Sequence, residues 1–259
     1  ATMYSGMGGA QGYGEGSFIS HGADVGNLDD GAILVDITSV FGPTGINYYG
    51  TDYTSVFINT NGNISFGAPN TSYDPATLTT TTTPTIAPFF VDLNISSGSG
   101  TGANNIYWDL DTSAGTFTVT WFAVDPYSAP GSNSFQLRLT DLGDNHWDME
   151  FIYGDIQAAS DSGAVARAGW TDGGSNDETI AGSGNETTML GYESYNFATG
   201  DGAGVYSQGF QDTGGPICFA AGTRILTETG DVEVEALSPG DMVMTADHGP
   251  QPLRWLNRV

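Results

Sequence analysis

An all-β fold is what this sequence predicts: an antiparallel, sandwich-like β domain followed by a short β-rich segment. Three observations carry the prediction. Short runs rich in Val, Ile, Thr, Phe, Tyr and Trp recur along the chain, separated by Gly, Asn, Asp and Pro. One of the separators, Thr60-Asn61-Gly62, is a strong hairpin signal, because Asn-Gly accepts the positive φ angles of a tight turn. No stretch shows the 3.6-residue apolar period of an amphipathic helix longer than two turns.

In chain order, residues 1–28 begin as a Gly-rich arm (Met3-Tyr4-Ser5-Gly6-Met7-Gly8-Gly9), expected to be mobile or an irregular edge. After Gly31 the period becomes two, and 32–37 reads as a strand. The runs 54–59 and 63–66 flank the Asn-Gly turn. Further strands are expected at 86–92, 104–109, 115–124, 133–141, 146–154 and 163–170. The threonine run 79–83, closed by Pro84, reads as a surface loop or edge strand within the domain. Gly214-Gly215-Pro216 supplies linker chemistry. The expected organisation is therefore an arm at 1–28, a β domain at 29–214, a linker at 215–217 and a second, short segment at 218–259.

Thirty acids face five bases, all of them Arg, for a net charge of −25. No basic patch can form to release the counterions of a nucleic acid, which excludes nucleic-acid binding. No run of about 18 apolar residues exists, which excludes a helical membrane span. One cysteine, Cys218, excludes an intrachain disulfide framework.

Several stretches together resemble the nidogen-like extracellular (NIDO) family. They are Asp29-Asp30-Gly31; Val40-Phe41-Gly42 with Ile46-Asn47-Tyr48-Tyr49-Gly50; 56–66; Ile86-Ala87-Pro88-Phe89-Phe90-Val91-Asp92; Asn133-Ser134-Phe135-Gln136-Leu137; and 151–157 followed by Ala168-Gly169-Trp170. Where that family usually carries a tryptophan after the Gln157 position, this chain has Ala158. The resemblance implies a secreted or cell-surface β protein of adhesive or matrix type, with extracellular matrix, a surface protein, a glycan or its own copies as partner. It does not imply a turnover enzyme.

From Cys218 the chain resembles a second family, the bacterial hedgehog/intein (Hint) self-processing domain. The residues that carry this are Cys218-Phe219-Ala220-Ala221-Gly222-Thr223-Arg224-Ile225-Leu226-Thr227 and Leu237-Ser238-Pro239-Gly240-Asp241-Met242-Val243. The resemblance implies that Cys218 is a nucleophile, that Ile217 holds the scissile carbonyl, and that Thr223 supports them. Its chemistry would be an N-to-S acyl shift that releases the passenger ahead of it. The family's Thr-x-x-His motif and closing His-Asn are not found after Cys218. The region is therefore expected to be incomplete or inactive, and 1–259 is not expected to cut itself efficiently. An active single-turnover autoprotease is the alternative.

Further readings concern the passenger. Asp109-Leu110-Asp111 places two acids two residues apart on one side of a strand, and Asp29 and Asp30 lie in an oxygen-rich loop with Asp24 and Asn27. These are candidate Ca²⁺ ligands, although none fits EF-hand spacing. A third oxygen-rich loop holds Asp172, Asn176 and Asp177. No cofactor is required by any of these motifs. Trp108, Trp121 and Trp147 would be the platforms of a carbohydrate-binding sandwich, and exposed strand edges would serve a self-assembling filament or matrix subunit. Asn-x-Ser/Thr sequons start at Asn63, Asn70, Asn94 and Asn185.

Overall fold

The computed structural model describes residues 1–211, 219–245 and 249–253. Two large antiparallel sheets, with the small strand pairs Ile46–Tyr48/Thr51–Tyr53 and Ser160–Asp161/Ala164–Val165, make up the passenger domain. The first runs from edge to edge as Gly16–Ser17, Asn105–Asp111, Thr116–Val124, Asn133–Gly143, His146–Ile156 and Val205–Phe210. The second runs Asp177–Thr179, Arg167–Thr171, Thr85–Phe90, Asn63–Ser65, Ser55–Asn59, Gly31–Asp36 and Val25–Gly26. The strand runs expected from the sequence fall in these sheets, except that 163–170 is broken: Ala164–Val165 pairs with Ser160–Asp161, and only Arg167–Thr171 joins the second sheet. The helices described are single turns, such as Thr38–Phe41 and Glu186–Met189. None is long and apolar enough to cross a membrane.

Alternation explains how the sheets meet. In Thr116–Val124, residues Phe117, Val119 and Trp121 share one face with their cross-strand partners Leu139, Leu137 and Phe135. These in turn pair with Met149, Phe151 and Tyr153 on the next strand. The facing sheet contributes Ile33, Val35, Val56, Ile58, Ile64 and Ile86 to the same core. Specific contacts lock the two layers together. Phe89 packs on Phe135 with ring centroids 5.4 Å apart, Trp121 Nε1 donates to the Asn59 carbonyl at 3.3 Å, and the Tyr153 hydroxyl donates to the Pro88 carbonyl at 2.7 Å. A buried indole N–H or phenol needs such a partner, so each bond also fixes the orientation of its ring.

The other face of the first sheet is polar (Thr118, Thr120, Gln136, Arg138), yet Thr118, Thr120 and Gln136 are buried. The cover is the Gly-rich arm. Tyr4 N–H donates to Gln136 Oε1 at 2.8 Å, Gln136 Nε2 returns a bond to the Tyr4 carbonyl at 2.8 Å, and Tyr13 packs on Phe122 at 5.1 Å. The arm then ends as the edge strand Gly16–Ser17 against Tyr107 and Trp108. The described arm is thus an irregular edge rather than a free segment. Its glycines permit the close approach: a Cβ on Gly16 would lie 2.2 Å from the Trp108 ring.

The threonine run follows the 3₁₀ turn Pro75–Thr79, whose Leu78 is fully buried, and leads straight into Thr85–Phe90. It is a loop of the domain and not a linker between domains.

Residues 219–245 and 249–253 form a separate four-stranded antiparallel sheet. Its order is Gly230–Glu233, Arg224–Thr227, Met242–Thr245 and Gly249–Pro252. Val234 and Leu237 are its buried apolar residues, while Phe219, Leu226 and Met244 are exposed. So small a core gives little independent stability.

Candidate functional site

Two places in the chain hold chemistry. The first is the segment around the expected scissile junction. Ile217 and Cys218 lie outside the described residues, as does His248. The described part begins immediately after the cysteine, and it is tied down. Gly222 N–H donates to both oxygens of the Glu235 carboxylate, at 2.9 and 3.0 Å. Thr223 N–H donates to the Ala220 carbonyl at 3.0 Å, and Val234 N–H donates to the Thr223 carbonyl at 2.8 Å. Thr223 is therefore held by its backbone immediately before the strand Arg224–Thr227, where it closes the Ala221-Gly222 turn. The Gly240-Asp241 turn is closed by Leu253 N–H on the Asp241 carbonyl and Gly240 N–H on the Leu253 carbonyl, both at 2.7 Å. Glu235 was not singled out from sequence. An acid after an alternating strand is ordinary there, and only the fold brings it to Gly222.

The second place lies at one end of the passenger. Asp29 and Asp30 sit in the turn between Val25–Gly26 and Gly31–Asp36. Asn27 shapes that turn, its Oδ1 accepting from Asp29 N–H at 2.8 Å and Asp30 N–H at 3.0 Å. Asp92 follows the fully buried strand Thr85–Phe90. One carboxylate oxygen from each of Asp29, Asp30 and Asp92 lies within 4.8 Å of the others. Asn61, in the predicted hairpin turn, joins the two loops. Its Nδ2 donates to Asp30 Oδ1 at 2.8 Å and its Oδ1 accepts from Leu93 N–H at 2.8 Å.

The electrostatics of this cluster are one-sided. Burial, followed by the charges of Asp161, Asp30 and Asp29, pushes the Asp92 carboxyl up to about 7. Burial and Asp30 likewise raise Asp29. Asp161 itself is satisfied, since its oxygens accept from Ser128 N–H, Ala129 N–H and the Ser128 and Ser162 hydroxyls. Burial pushes Asp161 up, but these bonds outweigh it and hold the group below the usual aspartate range.

The remaining expected ligands are placed differently. Asp109 is paired across the strand with Thr118, and Asp111 with Thr116. Asp111 Oδ1 already accepts from Ser113 N–H, the Ser113 hydroxyl and Ala114 N–H, which makes it a turn former. Burial and the neighbouring Asp111 raise Asp109. Among the described residues, Asp109 and Asp111 do not form a group of three carboxylate oxygens within 4.8 Å, although Glu15 is near enough to add to the rise of Asp109. Asp24 is taken by Leu34 N–H at 2.9 Å and by His21 at 3.1 Å. Asp172 closes its own loop by accepting from Gly174 N–H and Asn176 N–H.

Burial decides against the sugar-platform alternative for two tryptophans and against two of the sequons. Trp121 and Trp147 are fully buried and cannot act as sugar platforms. Trp108 is partly buried, with Gly16 against its ring. Asn63 and Asn70 are also buried, so those two sequons are inaccessible as folded.

These observations define a class: an antiparallel β-sandwich carried ahead of a small, distinct β segment. Comparison with protein-family models then gives the particular families. The NIDO-related model matches residues 29–206, more than half of the chain, and the protein belongs to that family. A Hint domain model matches residues 217–259, directly behind it. No curated protein and no solved structure matches the chain. The protein is thus a β protein with a Hint-type self-processing region.

Proposed function

We propose that this protein is an extracellular or cell-surface β domain of adhesive or structural type, carried ahead of a Hint region that releases it. The observation that carries the reading is the order of the two matches, with Cys218 as the second residue of the Hint match and the folded domain immediately before it. In the proposed reaction the Cys218 thiolate attacks the carbonyl carbon of Ile217. The C–S bond forms, the Ile217–Cys218 amide bond breaks, and the freed amine of Cys218 takes up the proton. Water then hydrolyses the thioester, leaving Ile217 with a free carboxylate and Cys218 with its thiol. The passenger's role is adhesion or matrix assembly, with a protein, a glycan or further copies of itself as partner. Its support is the family resemblance together with an acidic surface that resists anionic partners.

Intact mass of freshly purified protein, with and without a thiol such as DTT, tests the release step beside Cys218→Ala. With the family's Thr-x-x-His and closing His-Asn motifs not found after Cys218, mostly full-length protein is the expected result for 1–259, and a fragment ending at Ile217, faster with thiol and absent from the variant, would establish the active autoprotease instead. Full-length mass alone in every sample refutes release by this chain and leaves the Hint segment as a passive tail.

A further inference from the structure

The acid cluster at the end of the sandwich does not enter the release chemistry, and its side chains are left in an unusual state. Asp92 is only 9% exposed, and its carboxylate receives no hydrogen bond among the described residues. Asp29 Oδ1 is buried and has no hydrogen-bond partner. A buried carboxylate without a donor or a counter-charge is strongly unfavourable unless it is neutralised. Such orphans ordinarily find a backbone N–H, a basic side chain or a metal. Here the charged neighbours acting on Asp92 are themselves acids.

We propose that Asp29, Asp30 and Asp92 form a Ca²⁺ site that clamps the 27–31 turn to the segment following the strand Thr85–Phe90. The donors are all carboxylate oxygens, the chemistry of a hard cation rather than of zinc or copper. Their spacing fits. Oxygens no more than 4.8 Å apart can share one ion at the ~2.4 Å distance calcium prefers, because the largest separation across such an ion is about twice that distance. Each of the two unbonded carboxylates can offer both oxygens. Asp30 offers at least the oxygen that Asn61 does not occupy. Water completes the six to eight ligands that calcium takes, of the order usual for its sites. The framework is built independently of the ion. Asn27 fixes the turn, Asn61 fixes Asp30 against Leu93, and Ile95 N–H donates to the Leu28 carbonyl at 3.0 Å. The ion would replace mutual repulsion of three carboxylates with a cross-link between loops that are some sixty residues apart in sequence.

The test is thermal unfolding of the full chain, stripped with EDTA and then titrated with Ca²⁺ in about 0.15 M salt, which screens the general acidity of the surface. The expected result is a saturable rise in unfolding temperature below about 10 mM Ca²⁺, beyond the weakest extracellular calcium sites. Mg²⁺ at the same concentrations gives a smaller rise, since it demands tighter octahedral geometry. Asp92→Asn and Asp29→Asn each weaken the Ca²⁺ response by about tenfold or more, while Asp144→Asn, in an exposed turn, keeps it. Both variants remove an unneutralised charge, so they fold without the ion at least as well as the parent. The proposal fails if Ca²⁺ gives no shift, if Mg²⁺ gives an equal one, or if the response survives in Asp92→Asn. None of these outcomes depends on whether the chain cleaves at Cys218.

Discussion

Asn61 and Asp30 are hydrogen-bonded across thirty-one residues of sequence, with the Asn61 amide donating to the Asp30 carboxylate at 2.8 Å. The same amide donates to the Ser72 carbonyl at 3.1 Å, and the Asn61 side-chain oxygen takes Leu93 N–H. One buried side chain therefore positions three loops. Asn61→Ala leaves the Leu93 N–H and the Ser72 carbonyl without these partners. Each buried group so abandoned costs about 1–3 kcal/mol. Urea unfolding in EDTA should show that loss as a lower midpoint with an unchanged slope. A midpoint within error of the parent would mean that water replaces Asn61, and the loops would then owe their geometry to the backbone.

The hairpin that carries Asn61 was legible in sequence, and its neighbourhood was not. Asn-Gly demands positive φ, and Gly62 adopts φ +79° where a Cβ would lie 1.9 Å from the Phe89 carbonyl oxygen. Local chemistry of that kind reads directly. Asp92 also stood in plain view at the end of an apolar strand, but nothing local says that its carboxylate meets Asp29 and Asp30. That meeting depends on strand order in the sheet. The Gly-rich arm shows the same limit from the other side. Its glycines suggest freedom, while its fixed path depends on Gln136 and Trp108, far along the chain. The strand Val205–Phe210 escaped notice because Gly209 and the polar pair Ser207-Gln208 blur its alternation.

A core role for Trp147 sets a sharp expectation. Its ring stacks on Phe210 with centroids 4.2 Å apart and planes 4° from parallel, and its Nε1 donates to the Asn47 carbonyl at 3.0 Å. Trp147→Ala should lower stability by about 3–5 kcal/mol, the usual loss for a large buried aromatic. Denaturant melts followed by near-ultraviolet circular dichroism report it. A stable variant that had instead lost binding to a sugar would restore the platform reading for this tryptophan.

Glu150 predicts a pH effect. It pairs across the strand with Arg138, whose guanidinium lies 4.0 Å from the Tyr4 ring centre, and the Tyr4 hydroxyl reaches Glu150 at 3.3 Å. Burial raises its carboxyl above the usual 4.5, Arg138 opposes the rise, Asp201 adds to it, the Tyr4 bond opposes it and Asp148 adds to it. The folded value exceeds the unfolded one. The stability that Glu150 contributes is therefore fully present below about 4.5 and is lost as pH climbs through the raised value. Glu150→Gln mimics the protonated form, so its stability relative to the parent should improve as pH rises from 4.5 towards neutrality. Paired urea titrations at several pH values measure this. A parent that gains on the variant over that range would show that Arg138 dominates.

Glu235 offers a handle on release that spares the nucleophile. Its carboxylate holds Gly222 N–H, and through it the turn that follows Cys218. A nucleophile must be held near its carbonyl for the acyl shift to compete with inactive geometries, and small misplacements cost large factors in rate. Glu235→Ala removes the anchor from an exposed position, so the passenger's melting temperature should not change. Where the parent yields the fragment ending at Ile217, the variant should yield it about tenfold more slowly or worse, read by intact mass over time. Glu235→Gln keeps an oxygen that can accept from Gly222 and should recover part of the rate. Equal rates in the parent and Glu235→Ala would show that the Gly222 contact does not position Cys218, and the anchoring would then fall to the backbone bonds of Thr223.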